Sequence, residues 1–196
     1  ALSEDLVADV YKPHVAENLI KNIEKSSKLD TGIFGTRYFI ECLSDSGNID
    51  LAFKCFFNNE FPSFKYQFDK GATTLWEQWY ETGNMASHNH AMFAGAVTGL
   101  FTRLAGITPL EPGFSKILIK PIFSRMLNRL ETAIDTPFGK LEIEWVRENG
   151  EISVELKIPP NASAVLILPG EPVNDLSNGK YKFKFKEIKQ NGKNNR

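Results

Sequence analysis

At Thr108-Pro109-Leu110-Glu111-Pro112-Gly113 the hydrophobic repeat of the chain changes from the helical period of about 3.6 residues to the strand period of 2. The prolines cannot continue a helix arriving from the N-terminal side, and Gly106 just before them suits the left-handed position past a helix end. A helical part and a stranded part are therefore expected to meet here.

Upstream, Pro13 suits the first turn of a helix in which Val15, Leu19, Ile20 and Ile23 share a face. Past the glycine-bounded loop Gly32-Ile33-Phe34-Gly35, residues 36–43 read as a second, largely apolar and hence buried helix. After the break Asp45-Ser46-Gly47-Asn48, Asn48 can cap a third helix over 49–58, with Leu51, Ala52, Cys55 and Phe56 on one side. A fourth is expected from Asn89 to about residue 104, carrying Phe93, Val97, Leu100, Phe101 and Leu104. Between the third and fourth, residues 61–83 are aromatic and irregular, the composition of an ordered functional loop.

Downstream, residues 116–120, 140–145, 152–158 and 164–168 alternate or run apolar as short strands do. Turn signals at Pro137-Phe138-Gly139, Asn149-Gly150, Pro159-Pro160-Asn161 and Pro169-Gly170 separate them, and Asn149-Gly150 suits a hairpin. The expected class is α+β multidomain. Helices occupy 1–107, a small antiparallel β-sandwich occupies 108–190, and 191–196 form a tail.

Composition is that of a folded globular chain: 196 residues, 42% hydrophobic and 24% charged, with a formal net charge of −1. No apolar run approaches the length of a membrane span, and near-neutral charge gives nucleic acid or an anionic membrane no handle. Lys180, Lys182, Lys184, Lys186 and Lys189 alternate along the last strand, a pattern that guards a sheet edge against mispairing. Cys42 and Cys55 fall in expected helices, without metal or redox spacing, and read as buried thiols. The chain opens on Ala1 without a basic or apolar leader, so no targeting signal is read, and its start is expected to be a cut in something longer.

The chemistry concentrates in Gly71-Ala72-Thr73-Thr74-Leu75-Trp76-Glu77-Gln78-Trp79 and Ser87-His88-Asn89-His90-Ala91-Met92-Phe93. A carboxylate, indoles and imidazoles on turn-rich backbone are what a sugar-cleaving pocket uses: an acid or base, flat apolar faces and hydrogen-bond donors. Glu77 has two readings. Thr74-Leu75-Trp76-Glu77 matches a capping box, in which the carboxylate only satisfies a helix start; between Trp76 and Trp79 it would instead be partly desolvated, as a proton-transfer group is. His90 and His88 flank Asn89, the expected cap of the fourth helix, and either imidazole can exchange a hydrogen bond with a hydroxyl or simply satisfy a backbone carbonyl. Trp76 and Trp79 can stack on a sugar ring or pack in a core. Asp69, Glu81 and Glu60 follow no pattern and read as solvated, and no third ligand at metal spacing accompanies the histidines, so neither metal nor cofactor is expected.

These blocks, together with Thr31-Gly32-Ile33-Phe34-Gly35-Thr36, Phe61-Pro62-Ser63-Phe64, Leu104-Ala105-Gly106-Ile107, Pro112-Gly113-Phe114, Thr136-Pro137-Phe138-Gly139, Ile158-Pro159-Pro160-Asn161 and Leu168-Pro169, resemble the bacterial α-L-rhamnosidases of glycoside hydrolase family 78. The resemblance implies that the helices are the end of an (α/α)6 barrel and the strands its C-terminal β-sandwich. It implies that Glu77 is the general base of an inverting hydrolysis and that His90 contacts the sugar, and Trp76 is expected beside them as a face on which the sugar ring stacks. The partners implied are a rhamnose-containing oligosaccharide and the remainder of the barrel, with self-association where that remainder is missing. The family's general acid and its aspartate- and arginine-bearing motif lie upstream of the base, and nothing before Glu77 matches them. Gln78 stands where the family often has Arg, and Ala94-Gly95 where it has Gly-Ser. Two other functions share these features: a barrel glycosidase of different sugar specificity, and a carbohydrate-binding or interaction module without turnover.

Overall fold

A computed structural model describes residues 2, 4–81, 83–85 and 87–187. Lys189 and the expected tail 191–196 lie outside the described residues. The chain divides into two compact units, Ala1–Leu104 and Ala105–Arg196.

In the first unit, α1 (Lys12–Ser26) has Pro13 in its first turn and stops at Ser27, whose φ of 51° is left-handed and whose N–H donates to Ile23 O at 2.6 Å. α2 (Ile33–Asp45) starts earlier than its apolar period suggests. The Thr36 hydroxyl donates to Gly32 O at 2.9 Å and lies 2.9 Å from the Thr31 hydroxyl, so the glycine-bounded loop is wound into the first turn. α3 (Ile49–Phe56) begins at Asn48, but the Asn48 side chain turns back to donate to Ser46 O at 2.7 Å, and only its backbone carbonyl serves the helix.

α4 (Phe64–Asp69) lies in the stretch expected to be irregular. Ser63 caps it, its hydroxyl accepting from Tyr66 N–H at 2.9 Å, while Phe64 and Gln67 turn inward. The long helix expected over 89–104 is three pieces: a 3-10 turn (Ala91–Ala94), α5 (Gly95–Gly99) and a π-helical turn (Leu100–Leu104). Gly95 and Gly99 stand one turn apart where α5 meets α2. A Cβ at Gly99 would lie 2.0 Å from Ile40 Cγ2, and one at Gly95 2.8 Å from Arg37 Cβ. Around this contact Leu29, Phe39, Ile40, Leu43, Ala52, Cys55, Phe56, Phe64, Trp79, Phe93 and Ala96 form the core. Each large side chain taken wholly from water contributes about 1.5–3 kcal/mol to folding. Arg103 of the π turn closes the packing with bonds of 2.7 and 3.0 Å to the Asp45 carboxylate at the end of α2.

The second unit has two four-stranded sheets. One is β1 (Ile107–Pro109), β2 (Lys116–Ile119), β6 (Ser163–Leu166) and β7 (Asn174–Leu176); the other is β3 (Arg129–Thr136), β4 (Gly139–Glu148), β5 (Glu151–Ile158) and β8 (Gly179–Lys186), in those orders. All neighbours are antiparallel except β2 and β6, which pair in parallel with Ile117 opposite Ala164 and Ile119 opposite Leu166. β3, β4 and β5 intervene between them, so the chain re-enters the sheet in the direction in which it left. Asn149 and Gly150, at φ of 52° and 76°, make the β4–β5 turn of the type that matches strand twist.

Inward residues alternate as the strand period requires: Leu141, Ile143 and Trp145 of β4 lie beside Ile152, Val154, Leu156 and Ile158 of β5 in one core. The half-buried Arg147 guanidinium fastens the loop before β3 by donating to Phe123 O at 3.0 Å, to Ser124 O at 2.8 Å and to Leu127 O. β8 is an edge strand. Lys182 and Lys184 reach Glu155 and Glu151 on β5 at 2.6 and 2.7 Å, and each lysine holds its carboxyl below the usual range.

Candidate active site

The described part of 71–90 holds no helix, so Thr74 has nothing to cap and the capping-box alternative for Glu77 is corrected. The segment is instead folded on itself. Glu77 N–H donates to Ser87 O at 3.1 Å, His90 N–H to Leu75 O at 2.7 Å, and the Thr74 hydroxyl to His88 O. Residues 75–77 and 87–90 thus run side by side, with one more residue between the bonds on the second segment, as in a bulge.

The Glu77 carboxylate reaches across this pairing, and its Oε2 accepts from Ser87 N–H at 3.0 Å. The half-buried acid is thereby oriented through one of its two oxygens. Trp76 is 4% exposed and meets the His88 ring edge-on at 5.4 Å. Trp79 is core: its Nε1–H donates to Thr31 O at 2.6 Å, and its ring packs on Phe64 and Phe93 at 5.0 and 4.1 Å.

His90, not Asn89, caps the 3-10 turn at Ala91–Ala94. With φ −128° and ψ 123° it is still extended, and its Nδ1 accepts from Met92 N–H at 3.3 Å. A ring nitrogen that accepts carries no proton, so the His90 proton sits on Nε2, which remains a donor. His88 lies 3.8 Å from Glu81, Asp69 pairs with Lys65 at 2.6 Å and Glu60 with Lys28 at 3.4 Å, all at the surface. Glu77 and His90 therefore sit on two segments joined by backbone hydrogen bonds, with Trp76 next to Glu77 on the first of them and largely covered.

Two groups leave no mark in the sequence. Ser87 acts through its backbone, which carries no residue-type signal. Gln67, buried to 1% exposure in α4, donates from Nε2 to Gln78 O at 2.8 Å, and it is recognisable only once Ser63 is read as the cap of a helix. Among the described residues no group of three or more His, Cys, Asp and Glu is arranged to hold a metal ion, and no helix is long and apolar enough to cross a membrane.

Residues 1–104 match the family described as the bacterial alpha-L-rhamnosidase 6 hairpin glycosidase domain, and residues 106–183 match the bacterial alpha-L-rhamnosidase C-terminal domain. The class is thus that of glycosidases built on helical hairpins, with a β-domain following in the sequence. An alpha-L-rhamnosidase of Formosa agariphila is 33% identical over 86% of this chain and 19% of its own length. One from Streptomyces avermitilis is 29% identical over 87% and 17%. Among solved structures, the alpha-L-rhamnosidase from Dictyoglumus thermophilum superposes with a TM-score of 0.87 at 27% identity, covering 95% of this chain and 24% of that one. The Streptomyces avermitilis enzyme complexed with L-rhamnose gives 0.85 at 27%, covering 94% and 21%. The chain belongs to the bacterial α-L-rhamnosidase family and spans about a fifth of the length of the relatives it matches.

Proposed function

We propose that this chain supplies the general base and part of the sugar-binding wall of an inverting α-L-rhamnosidase, an enzyme that removes terminal α-L-rhamnose from glycans. In this reading residues 1–107 are the C-terminal portion of the barrel, 108–190 the β-sandwich domain that follows it in sequence, and the remaining helices come from elsewhere in the polypeptide. Glu77 accepts a proton from a water as that water's oxygen attacks the anomeric carbon. The bond from that carbon to the glycosidic oxygen breaks, and the oxygen takes its proton from a general acid outside this chain. His90 donates from Nε2 to a sugar hydroxyl, and Trp76, only 4% exposed, backs the apolar side from within the packing.

The observation that carries the reading is the hold on Glu77. A carboxylate that reaches over a two-segment pairing to a backbone N–H, on the segment that bears His90, caps no helix and is oriented by the fold. The family match and the similarity to an enzyme solved with L-rhamnose supply the sugar.

The test uses a polypeptide in which this chain is joined to the rest of its barrel. Glu77→Gln keeps shape and loses basicity, and hydrolysis of an aryl α-L-rhamnoside should fall by about a hundredfold or more. A variant within a few-fold of the parent rate sinks the assignment. The present chain alone should not turn over, because the acid half of the pair is not on it.

A further inference from the structure

We infer that Gln67 is a positioning residue for Glu77, its buried side-chain amide fixing the backbone just past the carboxylate. The inference rests on the reading of Glu77 as the base.

A primary amide is costly to bury unless its hydrogen bonds are made, so a glutamine at 1% exposure calls for a reason. The bond it makes is directed at the site: Nε2 donates to Gln78 O at 2.8 Å, eleven residues along the chain. The backbone carbonyl of Gln67 accepts from Ala72 N–H at 3.0 Å, tying the start of the same segment to α4. Three consecutive residues are then each held at one point. Glu77 N–H is held by Ser87 O at 3.1 Å, Gln78 O by Gln67, and the Trp79 indole by Thr31 O at 2.6 Å.

The peptides on either side of the Glu77–Gln78 link are thus fixed, and the link itself is all that can turn. Regular secondary structure would ordinarily provide this restraint, but the described residues here are in neither helix nor ladder, so a buried side chain takes its place. The anchor is neutral, so it restrains the base without adding a charge beside it. Displacing a reacting group by about 1 Å costs on the order of a hundredfold in rate, which sets the scale of what the anchor protects.

The test is made in the chain joined to the rest of its barrel. Gln67→Met keeps length and apolar volume but removes the donor. Its kcat should fall about 10- to 100-fold with KM within a few-fold of the parent. In a Glu77→Gln background the same change should cost little more, because the group being positioned is gone. Gln67→Glu supplies a second, independent readout. As a neutral acid it donates O–H to Gln78 O; as a carboxylate it repels that carbonyl. Its rate relative to the parent should therefore drop as pH rises, while the Gln67→Met ratio stays flat.

An inactive Glu77→Gln beside a Gln67→Met with parental kcat overturns the role of Gln67 and leaves the base in place. An active Glu77→Gln overturns both. A Gln67→Met loss that adds in full to that of Glu77→Gln, or that tracks the fall in thermal midpoint, makes the residue a packing element only and overturns positioning. If Gln67→Met fails to fold, the pH series on Gln67→Glu decides, and a pH-independent ratio overturns the inference.

Discussion

Cys55 shows how burial alone sets the chemistry of one side chain. It lies fully inside the first unit, and desolvation pushes its thiol up from 9.0 to about 11, so near neutrality it is a small apolar group and not a nucleophile. The folded chain holds this proton more tightly than the unfolded one, so the stability it confers is complete below about pH 9 and is lost as pH rises toward about 11. Thermal midpoints measured across that window should decline more steeply for the parent than for Cys55→Ala; equal slopes would contradict the shift. Site residues are legible in the sequence where side-chain chemistry is itself the signal. Glu77, His90 and Trp76 stand out because a carboxylate, an imidazole and an indole are rare neighbours in a turn-rich stretch. They are illegible where the deciding fact is geometric. Thr74 and Glu77 have the spacing of a capping box, yet the two indoles beside Glu77 are both drawn into packing and no helix starts there. Asn89 is a better cap by type than His90, but His90 is the last extended residue before the turn, and the cap goes to whichever side chain stands there.

At the scale of elements, the contact of α5 with α2 depends on Gly99 having no side chain. A Cβ there would meet Ile40 Cγ2 at 2.0 Å, and Ile40 is a wholly buried, β-branched residue with nowhere to turn. Gly99→Ala should destabilise the helical unit by about 1–3 kcal/mol despite the better helix propensity of alanine, whereas propensity alone would make it stabilising by about 1 kcal/mol. Denaturant unfolding of the two proteins gives the sign. The sequence suggests one long helix over 89–104 because its apolar period is continuous, and nothing in that period reveals the division of the run into 3-10, α and π turns. Other elements are readable in proportion to their length and alternation. α1, α3, β4 and β5 carry a full face of their period, while α4 has only six residues, too few for the period to show. The parallel pairing of β2 with β6 joins strands far apart in the chain, and a local pattern of apolar residues carries no direction of pairing.

Across the whole molecule, the change of period near Pro109 corresponds to two hydrophobic cores, one formed by helices and one by sheets. The described residues of the two units differ in how much apolar surface they leave uncovered. Of the thirteen large hydrophobic residues that stay exposed, ten belong to the helical unit, among them Phe34 at 82%, and three (Leu110, Met126 and Val173) to the sheets. A family member that matches only a fifth of its relatives' length, with most of its exposed large apolar residues in the helical unit, has the composition of surface expected where further helices would pack. Left without them, that surface should bind a second copy of itself. Sedimentation velocity should show the whole chain forming species larger than a monomer as concentration rises, with the sheet unit alone remaining monomeric. Phe34→Glu should weaken the association without lowering the thermal midpoint, because most of that ring already faces solvent. A whole chain that stays monomeric at every concentration would mean that these residues make no common face, and the proposal that further helices pack on them would fall with it.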